Sequence, residues 1–431
     1  MHCILRSACT KIAKLFFAIK LRHICIGCSL IFILDFFGLF THMFEVPFDE
    51  NFSYPYKGDI HEFVAALRHN EKPSVSPINI YNYTFIRDIR NKCLEPRFQT
   101  LRIVLLVKSA VENFANRIAI RHSWGFEKRF SDVPLKTIFL LGVHSNDDQV
   151  KAKIDAESIK YQDIVQADFQ DSYYNNTIKT MMGFHWAFKF CLNSKYYVFV
   201  DDDMYISVKN ILKFLKNPTL YPDYLKDGVN FNERPIEPFR KKRSMIGLNA
   251  EITGNKSNGW LYKSRYGNKT LDSNSTVKFV EITRPRIKMS SRKRRQLFDF
   301  ELPEDVRLFA GFTFRSAPHR HKSSKWYVSL KEYPYHLWPP YVTAGSYVLS
   351  KEALLDMYFA SMYTKYFRFD DIFLALVAKK AGIEPFHCEE FHFYKKDYTK
   401  YNYKYVISSH GYGDPDELLK VWNEQKALGN A

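Results

Sequence analysis

The sequence has few cysteines, no internal repeat and no zinc-binding motif. Seven cysteines occur in 431 residues, and four of them lie within the first 28 residues. The other three, Cys93, Cys191 and Cys388, form no C-x-x-C pair and have none of the His/Cys spacings of zinc sites. They allow one disulfide and one free thiol, which is typical of an oxidising compartment, and the pairing stays open. The lack of repeats argues against a calcium-dependent adhesion module.

The chain also lacks any nucleic-acid-binding motif, although its net charge is +17. Much of the basic excess lies in two short runs, RKKR at 240–243 and RKRR at 292–295. No helix-turn-helix, zinc-finger or RNA-recognition motif accompanies them, so we expect no nucleic-acid partner. The second run also matches a dibasic processing site, although an unprocessed, solvated loop is the favoured interpretation.

Residues 24–40 form an apolar run, ICIGCSLIFILDFFGLF, with basic residues before it and acidic residues after it. This order of charges predicts that the N-terminus lies in the cytosol and the rest of the chain in a lumen. The run is short for a membrane-spanning helix, and Asp35 within it costs about 3 kcal/mol on insertion scales. No A-x-A cleavage site follows, so we expect a cytoplasmic tail at 1–23 and an uncleaved signal anchor at 24–40. A cleaved signal peptide and a buried helix are the alternatives.

Six N-x-S/T sequons follow the apolar run. A chain of this length acquires several by chance, so they only support a secretory lumen. The acceptor residues are Asn51, Asn82, Asn175, Asn255, Asn268 and Asn274.

The chain beyond the anchor divides into three parts. Residues 41–98, rich in Pro, Asn and Tyr, are expected to be a luminal stem. From 99 onward, apolar strand patterns alternate with helical ones, which predicts an α/β domain with a mostly parallel central sheet flanked by helices. Residues 227–304 interrupt this alternation and are predicted to be a surface insertion.

The periodicity also gives the individual elements. Strands are predicted at 101–107, 137–141, 164–165, 196–200, 326–330, 341–349 and 405–408. Helices are predicted at 111–124, 147–161, 176–192, 208–215, 351–363, from 370 onward, and 416–425.

Three consecutive carboxylates, Asp201, Asp202 and Asp203, follow the apolar strand YYVFV. The carboxyl ends of strands are where an open α/β sheet places its ligands. Two carboxylates about 4 Å apart repel by roughly 4 kcal/mol at an effective dielectric near 20 unless a cation separates them. Oxygen-rich clusters suit hard cations. A metal site is therefore indicated, and a solvated loop is the alternative.

Two further positions could complete such a site. Asp370 and Asp371 precede an apolar helix, where acidic residues can cap free amides or where one can act as a general base. His410 follows the strand-like segment YKYVISS. As a third ligand beside the aspartates it would favour manganese over magnesium, because imidazole is a softer donor.

Aromatic and basic residues indicate where substrates could bind. Trp338 and Tyr341 flank a Pro-Pro turn and could stack on sugar rings, and Gly345 would let a ligand approach the backbone closely. An aromatic core corner explains these residues equally well. Arg117 and Arg121 share one helical face, and Arg121 could pair with a diphosphate, whereas a surface salt bridge is favoured for Arg117.

These motifs, in this order, resemble glycosyltransferase family 31, the β-1,3-galactosyl- and N-acetylglucosaminyltransferases. The matching segments span roughly residues 100–425 apart from the insertion. They are NRIAIRHSWG, FLLG, DIVQADFQDSYYNNTIKT, YYVFVDDD, KWYVSLKEYPYHLWPPYVTAGSYVLS, FRFDDIFLAL and SSHGY.

The resemblance implies a GT-A fold and transfer from a UDP-sugar with inversion at the anomeric carbon. It implies that Asp201 and Asp203 hold manganese, or alternatively magnesium, against the UDP diphosphate, with His410 as the distal ligand and Asp202 near the donor. Asp371 matches the family's catalytic aspartate. Asp370 stands on the acceptor side where many members have Glu. Val342 replaces a Cys of many relatives, so that disulfide is absent or rewired.

The segments LFAGFTF, SKWYVSLKEYP and WPPYVTAG look closest to the brainiac-like branch. That likeness implies N-acetylglucosamine transfer onto mannose of a glycosphingolipid, by a single-pass type II protein of the Golgi membrane with a luminal catalytic domain. Galactose transfer onto glycolipid or glycoprotein glycans is the alternative. A non-catalytic glycan-binding or chaperone relative is the other class of function, and a homo-oligomer is left open.

Overall fold

The computed structural model describes residues 21–53, 58–94, 100–130, 133–144, 148–226 and 302–431. The helices are Leu21–Phe36 (α1), Leu39–Met43 (α2), Phe48–Asn51 (α3), His61–Arg68 (α4), Phe114–His122 (α5), Asp148–Tyr161 (α6), Asn176–Phe190 (α7), Val208–Lys216 (α8), Lys351–Ser361 (α9), Asp370–Lys380 (α10) and Pro415–Ala427 (α11). The strands are Phe85–Arg87 (β1), Leu101–Lys108 (β2), Leu135–Val143 (β3), Ile164–Gln170 (β4), Ser194–Asp201 (β5), Tyr205–Ile206 (β6), Phe309–Phe314 (β7), Tyr341–Ser350 (β8), Phe386–His387 (β9), Phe391–His392 (β10) and Ser408–Ser409 (β11).

The chain divides into two compact units, residues 1–221 with 301–431, and residues 222–300. All the helices and strands above belong to the first. In the second, the described residues 222–226 contain one 3-10 turn, Asp223–Leu225. Residues 227–301, which are nearly all of the predicted insertion, lie outside the described residues.

The main sheet of the first unit has eight strands in the order β1-β4-β3-β2-β5-β8-β7-β9. The block β4-β3-β2-β5 is parallel, as the strand–helix alternation predicted. Strands β7 and β9 also pair in parallel, so four of the seven pairings are parallel and the sheet is mostly parallel, as predicted. The exceptions are β8, which runs antiparallel to both β5 and β7, and β1, which runs antiparallel to β4. The antiparallel pairs were not predicted, because an apolar run identifies a strand but does not indicate its direction.

Two pairings bring distant polar residues to one edge of the sheet. In the parallel pair β2–β5, Lys108 lies opposite Asp201. In a second sheet, of order β10-β11-β6, Ser409 pairs with Tyr205. Since β6 starts two residues after Asp203 and β11 ends one residue before His410, this short pairing places His410 beside Asp203.

Aromatic stacking joins the sheet to its covering helix. The Phe199 ring of β5 stacks on Phe184 of α7 at 4.9 Å and on Tyr347 of β8 at 5.1 Å, and all three side chains are buried. Burial of side chains of this size contributes about 2 kcal/mol each. This core fixes β5, and therefore the aspartates at its end, against β8.

The cysteine prediction is confirmed within the described residues. Cys93 and Cys191 form a disulfide, which ties the segment before β2 to the end of α7. Cys388 is a buried free thiol. The expectation of one disulfide plus one thiol holds, and the structure supplies the pairing.

Part of the predicted stem belongs to the folded domain. Ile60, Phe63 and Val64, at the start of α4, are buried in the main hydrophobic core. Strand β1 pairs with β4 at the edge of the sheet. Residues 41–98 therefore do not form a separate stem throughout, because weakly periodic sequence can still pack when its few apolar side chains find a partner surface.

Two predicted strands are wrong in extent or existence. Residues 326–330 form turns instead of a strand, and 405–408 shrink to Ser408–Ser409. In the first, Tyr327 forms an isolated β-bridge with His319, and the carbonyl of Val328 accepts from the buried guanidinium of Arg320, which also donates to the carbonyls of Tyr333 and Tyr335. Strand β7 was not predicted.

The segment predicted as one anchor helix at 24–40 contains two helices in the structure. Helix α1 ends at Phe36, and Gly38 has a φ of +81°, a left-handed conformation that suits glycine and separates α1 from α2. Within α1, Asp35 forms an ion pair with Lys322 at 2.6 Å. In the described part of the chain, no helix combines the length and the apolar character needed to cross a membrane.

Candidate active site

A cavity of about 420 Å³ opens at the ends of β5 and β8, beside the start of α10. Its walls include three of the predicted site carboxylates, Asp201, Asp370 and Asp371, and the two predicted aromatic residues Trp338 and Tyr341. Ligand sites typically have this combination of an apolar wall and a few converging polar groups. These five residues therefore line one cavity, and their predicted roles stay predictions.

A buried lysine that the sequence reasoning missed lies among the carboxylates. The Nζ of Lys108 lies 3.0 Å from Asp201 Oδ1 and 2.8 Å from Asp370 Oδ2, and it also donates to the carbonyl of Ala344. Burial alone would lower the pKa of Lys108, but the two carboxylates outweigh it and raise that pKa. Lys108 therefore stays charged and offsets the repulsion between Asp201 and Asp370.

Asp370 does not cap α10, although capping was one of the roles that the sequence allowed for it. Its buried Oδ2 accepts from Lys108, from Asn176 Nδ2 at 3.0 Å and from Thr180 Oγ1 at 3.1 Å. The N-cap position of α10 is Phe369, whose side chain cannot cap. Asp370 thus joins α10 to α7 and to the end of β2, since a buried carboxylate needs paired donors.

Asp371 lines the cavity and has a raised pKa. Burial, and then the charge of Asp370, raise the pKa of Asp371 to about 7. Its Oδ1 accepts from the backbone amide of Ile372 at 2.7 Å. A carboxylate with a pKa near the working pH is a suitable general base, because it accepts a proton readily without being fully protonated beforehand.

Asp201 has a similarly raised pKa, for a partly different reason. Burial raises the pKa of Asp201 to about 7, with smaller contributions from Asp370 and Asp203, while Lys108 opposes the shift. A carboxylate in this state gains from any added positive charge. Asp201 is therefore placed to interact with a cationic or cation-bound ligand at the mouth of the cavity.

Asp203 and His410 meet as the sequence predicted. His410 Nε2 lies 3.1 Å from Asp203 Oδ2, and this contact raises the pKa of His410 above its ordinary value. The other oxygen, Asp203 Oδ1, is buried and has no hydrogen-bond partner among the residues that the structure describes. A buried carboxylate oxygen without a donor is costly in the absence of a ligand.

This pair fits a divalent cation with two protein ligands. Asp203 Oδ1 supplies an oxygen donor, and the imidazole of His410, which contacts the other oxygen of the same carboxylate, supplies a nitrogen donor. This mixed pair of donors suits manganese. In the described residues no group of three or more His, Cys, Asp or Glu side chains is arranged for a metal. The predicted three-ligand set with Asp201 is therefore not assembled, because Asp201 is turned to Lys108.

Asp202 faces away from the other two aspartates. Its buried carboxylate accepts from Ser109 Oγ at 2.6 Å and from Asn113 Nδ2 at 3.0 Å. Burial raises the pKa of Asp202, and these two hydrogen bonds oppose the shift. Asp202 holds the loop between β2 and α5, and its predicted contact with a donor stays a prediction.

The structure contradicts the predicted diphosphate contact of Arg121. Its Nε and Nη2 donate to Asp163, and its Nη1 donates to Glu157, all within 2.8 Å. The guanidinium also lies over the rings of Phe139 and Tyr161. Arg121 is thus a buried structural cation. An arginine pattern on a helix cannot distinguish a ligand-binding residue from one whose partners come from another helix.

Arg117 forms the ion pair that the sequence favoured, but not on the surface. It is fully buried, and its Nη2 lies 2.7 Å from Glu157 Oε2. Its Nη1 donates to the carbonyl of Ala110, so it supports the same β2–α5 loop as Asp202.

Of the two predicted aromatic residues, Tyr341 belongs to the cavity wall, and Trp338 belongs to both the wall and the hydrophobic core. Tyr341 is half-buried, donates to or accepts from Ser316 Oγ at 3.0 Å, and stacks on Phe314. Trp338 lines the cavity but is mostly buried against Tyr333, with ring centroids 4.1 Å apart, so it serves both the wall and the core. At Gly345 an added Cβ would meet only Met204 at 3.4 Å, an ordinary contact. Its predicted role toward a donor stays a prediction.

Several cavity residues carried no signal strong enough to predict them. Lys108 had a weak one, as a lone cation at the carboxyl end of an apolar strand. Tyr173, His319 and Trp326 line the cavity from segments whose sequence is only polar and aromatic. Their common position depends on the packing of loops, which local patterns do not encode.

The chain is similar to known glycosyltransferases. The family model described as galactosyltransferase matches residues 115–239 and 297–389. The Drosophila melanogaster protein named beta-1,3-galactosyltransferase brn is 36% identical over 96% of this chain and 99% of its own length. Beta-1,3-galactosyltransferase 1 of Mus musculus and of Homo sapiens is 26% identical over 81% of this chain and 81% of its own. The solved apo structure of the WbbM bifunctional glycosyltransferase aligns with a TM-score of 0.33 and 11% identity, covering 79% of this chain and 53% of that one.

Proposed function

We propose that this chain, which belongs to the galactosyltransferase family and is therefore a β-1,3-glycosyltransferase, transfers N-acetylglucosamine from UDP-N-acetylglucosamine onto the 3-hydroxyl of a glycan-terminal mannose. The donor is a nucleotide sugar and the acceptor a glycan, as the family requires. The observation that carries the proposal is Asp371, a carboxylate with a pKa of about 7 in the wall of a cavity that also holds Asp201 and two aromatic side chains.

In the proposed reaction Asp371 accepts the proton of the acceptor's 3-hydroxyl group. The hydroxyl oxygen then forms a bond to C1 of the donor sugar, while the bond from C1 to the β-phosphate oxygen of UDP breaks. UDP leaves with that electron pair, and the configuration at C1 inverts because attack and departure occur on opposite faces. Inverting glycosidases place a base in the same way, with water in place of the acceptor.

Asp203 and His410 are the residues that would hold a divalent cation, manganese first and magnesium as the alternative. The unpartnered Asp203 Oδ1 and its contact with His410 support this assignment. When bound, the ion supplies Lewis-acid stabilisation of the charge on the diphosphate leaving group. The phosphate oxygens would complete a coordination shell that two protein ligands leave open.

Lys108 and Asp370 position the other groups. Lys108 holds Asp201 at the mouth of the cavity, and Asp370 fixes the first turn of α10, where the side chain of Asp371 accepts from the backbone amide of Ile372. Such preorganisation matters because a misplaced base loses rate steeply.

The donor sugar has two candidates. The motifs LFAGFTF, SKWYVSLKEYP and WPPYVTAG favour N-acetylglucosamine, through their likeness to the brainiac-like branch. The names of the curated relatives, all β-1,3-galactosyltransferases, favour galactose as the second candidate. Either sugar is compatible with a cavity of about 420 Å³.

We further propose that the fold is of the GT-A type and that the protein acts in the Golgi lumen. The parallel block β4-β3-β2-β5, with aspartates at the end of β5, supports the first. The charge order around residues 24–40 supports a type II orientation, and a glycosphingolipid acceptor fits a protein kept at a membrane. A homo-oligomer is compatible with this arrangement.

The full chain, purified in detergent, should be incubated with manganese, UDP-N-acetylglucosamine, UDP-galactose or UDP-N-acetylgalactosamine, and mannose- or galactose-terminated acceptors. UDP release should depend on the acceptor and be highest with UDP-N-acetylglucosamine. The Asp371→Asn variant is the matched control, and it measures the UDP release that does not depend on the proposed base. Release that never exceeds this variant with any donor would favour a non-catalytic glycan-binding relative, and highest release with UDP-galactose would select the second donor.

A further inference from the structure

Three aromatic side chains form an exposed rim on the cavity of Asp371. Tyr173, His319 and Trp326 all line it, and Trp326 and Tyr173 remain 45% and 57% exposed. These three residues are called the aromatic rim below. Large aromatic side chains that are exposed beside a concave site often mark a binding surface, because a ligand that covers them removes apolar area from water.

The three rim residues are in contact with one another. Trp326 Nε1 donates to the hydroxyl of Tyr173 at 3.2 Å. The rings of His319 and Trp326 lie 5.7 Å apart with an interplanar angle of 34°. Lys325 Nζ lies 4.5 Å from the centroid of the Trp326 ring and forms a cation–π contact with it. The indole is therefore oriented even though much of it is exposed.

The loop that carries His319 and Trp326, two of the three rim residues, is fixed by two arginines. Arg320 donates from inside the loop to three of its carbonyls. Arg368 donates to Glu332 and to the carbonyl of Tyr327, next to Trp326. Because Arg368 lies just before Asp370 and Asp371, the rim is tied to the segment that carries the base. A preorganised surface of this kind loses less entropy on binding.

We propose that the aromatic rim is a subsite for the second sugar of the acceptor, the ring on the reducing side of the sugar that receives the transfer. This inference rests on the proposed function and names its acceptor class, an oligosaccharide of at least two sugars. A pyranose ring has an apolar face of C–H groups and an equatorial belt of hydroxyls. The indole offers a matching apolar face, and the Tyr173 hydroxyl and the His319 imidazole offer hydrogen-bonding groups.

The location favours the acceptor over the donor. The rim shares the cavity with Asp371, which takes the acceptor's proton, whereas Asp203 and His410, assigned to the diphosphate, do not line that cavity. A sugar that reaches Asp371 from solvent would therefore extend its next residue toward the exposed side. A lone monosaccharide would fill the inner part and leave the rim uncovered.

The test compares methyl monosaccharides with their disaccharides. Mannose, galactose and N-acetylgalactosamine are each offered alone and 1,4-linked to methyl glucoside, and their binding to the full chain in detergent is followed by ligand-observed NMR. The best disaccharide should bind about tenfold more tightly than its monosaccharide, the contribution expected of one aromatic face. Trp326→Ala should abolish this advantage and leave monosaccharide affinity unchanged, and Trp326→Phe, which keeps an aromatic face, should retain most of it.

Tyr401→Ala, which removes an 83% exposed aromatic side chain outside the cavity, is the control and should behave like the unchanged protein. Since binding is measured without turnover, failure of the proposed function, seen as absent UDP release, is separate from failure of the subsite. Equal affinity for every disaccharide and its monosaccharide would overturn the subsite. So would a Trp326→Ala variant, shown to be folded by circular dichroism, that keeps the full advantage.

Discussion

The ammonium of Lys108 lies 2.8 Å from Asp370 Oδ2, although the two residues are 262 positions apart in the chain. The same ammonium lies 3.0 Å from Asp201, so one buried cation joins the end of β5 to the start of α10. Two halves of the site, each recognisable in the sequence, are thus connected by a residue that belongs to neither.

Replacing Lys108 by Met should damage both stability and activity. Asp201 and Asp370 would be left buried without their shared cation, a change that typically costs about 3 kcal/mol or more. Chemical denaturation should show this loss, and UDP release should fall by at least about tenfold because Asp201 and α10 lose their common support. Lys108→Arg is the control for charge and should be less severe. Wild-type stability in Lys108→Met would contradict the network.

Asp370→Asn and Asp371→Asn should fail in different ways. Asp370 accepts three hydrogen bonds in the interior, so its amide variant should unfold at clearly lower denaturant concentration. Asp371→Asn should fold normally and bind UDP normally but transfer about a hundredfold more slowly, since only the proton acceptor is lost. Denaturation curves and steady-state kinetics on both variants separate the roles. Normal turnover in Asp371→Asn would exclude it as the base.

A divalent cation should be required for activity, with manganese the most effective. Chelation should stop UDP release, and addition of excess manganese should restore it. Asp203→Ala and His410→Ala should weaken UDP binding as well as turnover, because the ion would connect these side chains to the diphosphate. Calorimetry with UDP and manganese measures the first effect. Undiminished turnover in excess chelator would contradict the metal role.

The sequence was most informative where a chemical pattern and a structural pattern coincide. The strand ending in Asp201 was predictable from its apolar run, and the association of Asp203 with His410 was implied by the family resemblance. Asp370 was misassigned because an acidic residue at a helix start looks the same whether it caps the helix or pairs with a buried lysine. Arg121 was misassigned for a similar reason, since its acidic partners come from elsewhere in the chain. Long-range pairing decides such cases, and local periodicity does not record it.

The aromatic rim lay beyond the reach of pattern analysis for a different reason. Residues 326–330 looked like a strand, and the structure has turns there that a buried arginine holds. The side-chain alternation that predicts a strand does not indicate that a buried guanidinium will hydrogen-bond to the backbone carbonyls of the segment.

Glycosylation should differ between two of the described sequons. Asn82 is exposed, whereas the Asn175 amide donates to the carbonyl of Gln170 and its sequon Thr177 is buried with its hydroxyl donating to Phe367. We expect Asn82 to carry a glycan and Asn175 to remain bare in the cell-expressed protein. Asn82→Gln should increase gel mobility and Asn175→Gln should not, with endoglycosidase treatment as the reference. Of the other sequons, Asn255, Asn268 and Asn274 lie outside the described residues, as does the side chain of Asn51.

Activity should rise with pH through the region of 7. Burial and the charge of Asp370 raise the pKa of Asp371 to about 7 from its ordinary value, so below that pH the base already holds a proton and cannot accept the acceptor's. We therefore expect kcat/KM to fall about tenfold per pH unit below 7 and to level off above it. The measurement is the pH dependence of kcat/KM for the acceptor at saturating manganese and UDP-sugar. The residual activity of Asp371→Asn should lack this acidic limb. If the variant keeps the same limb, a different group controls it, and Asp201, whose pKa burial also raises to about 7, becomes the candidate.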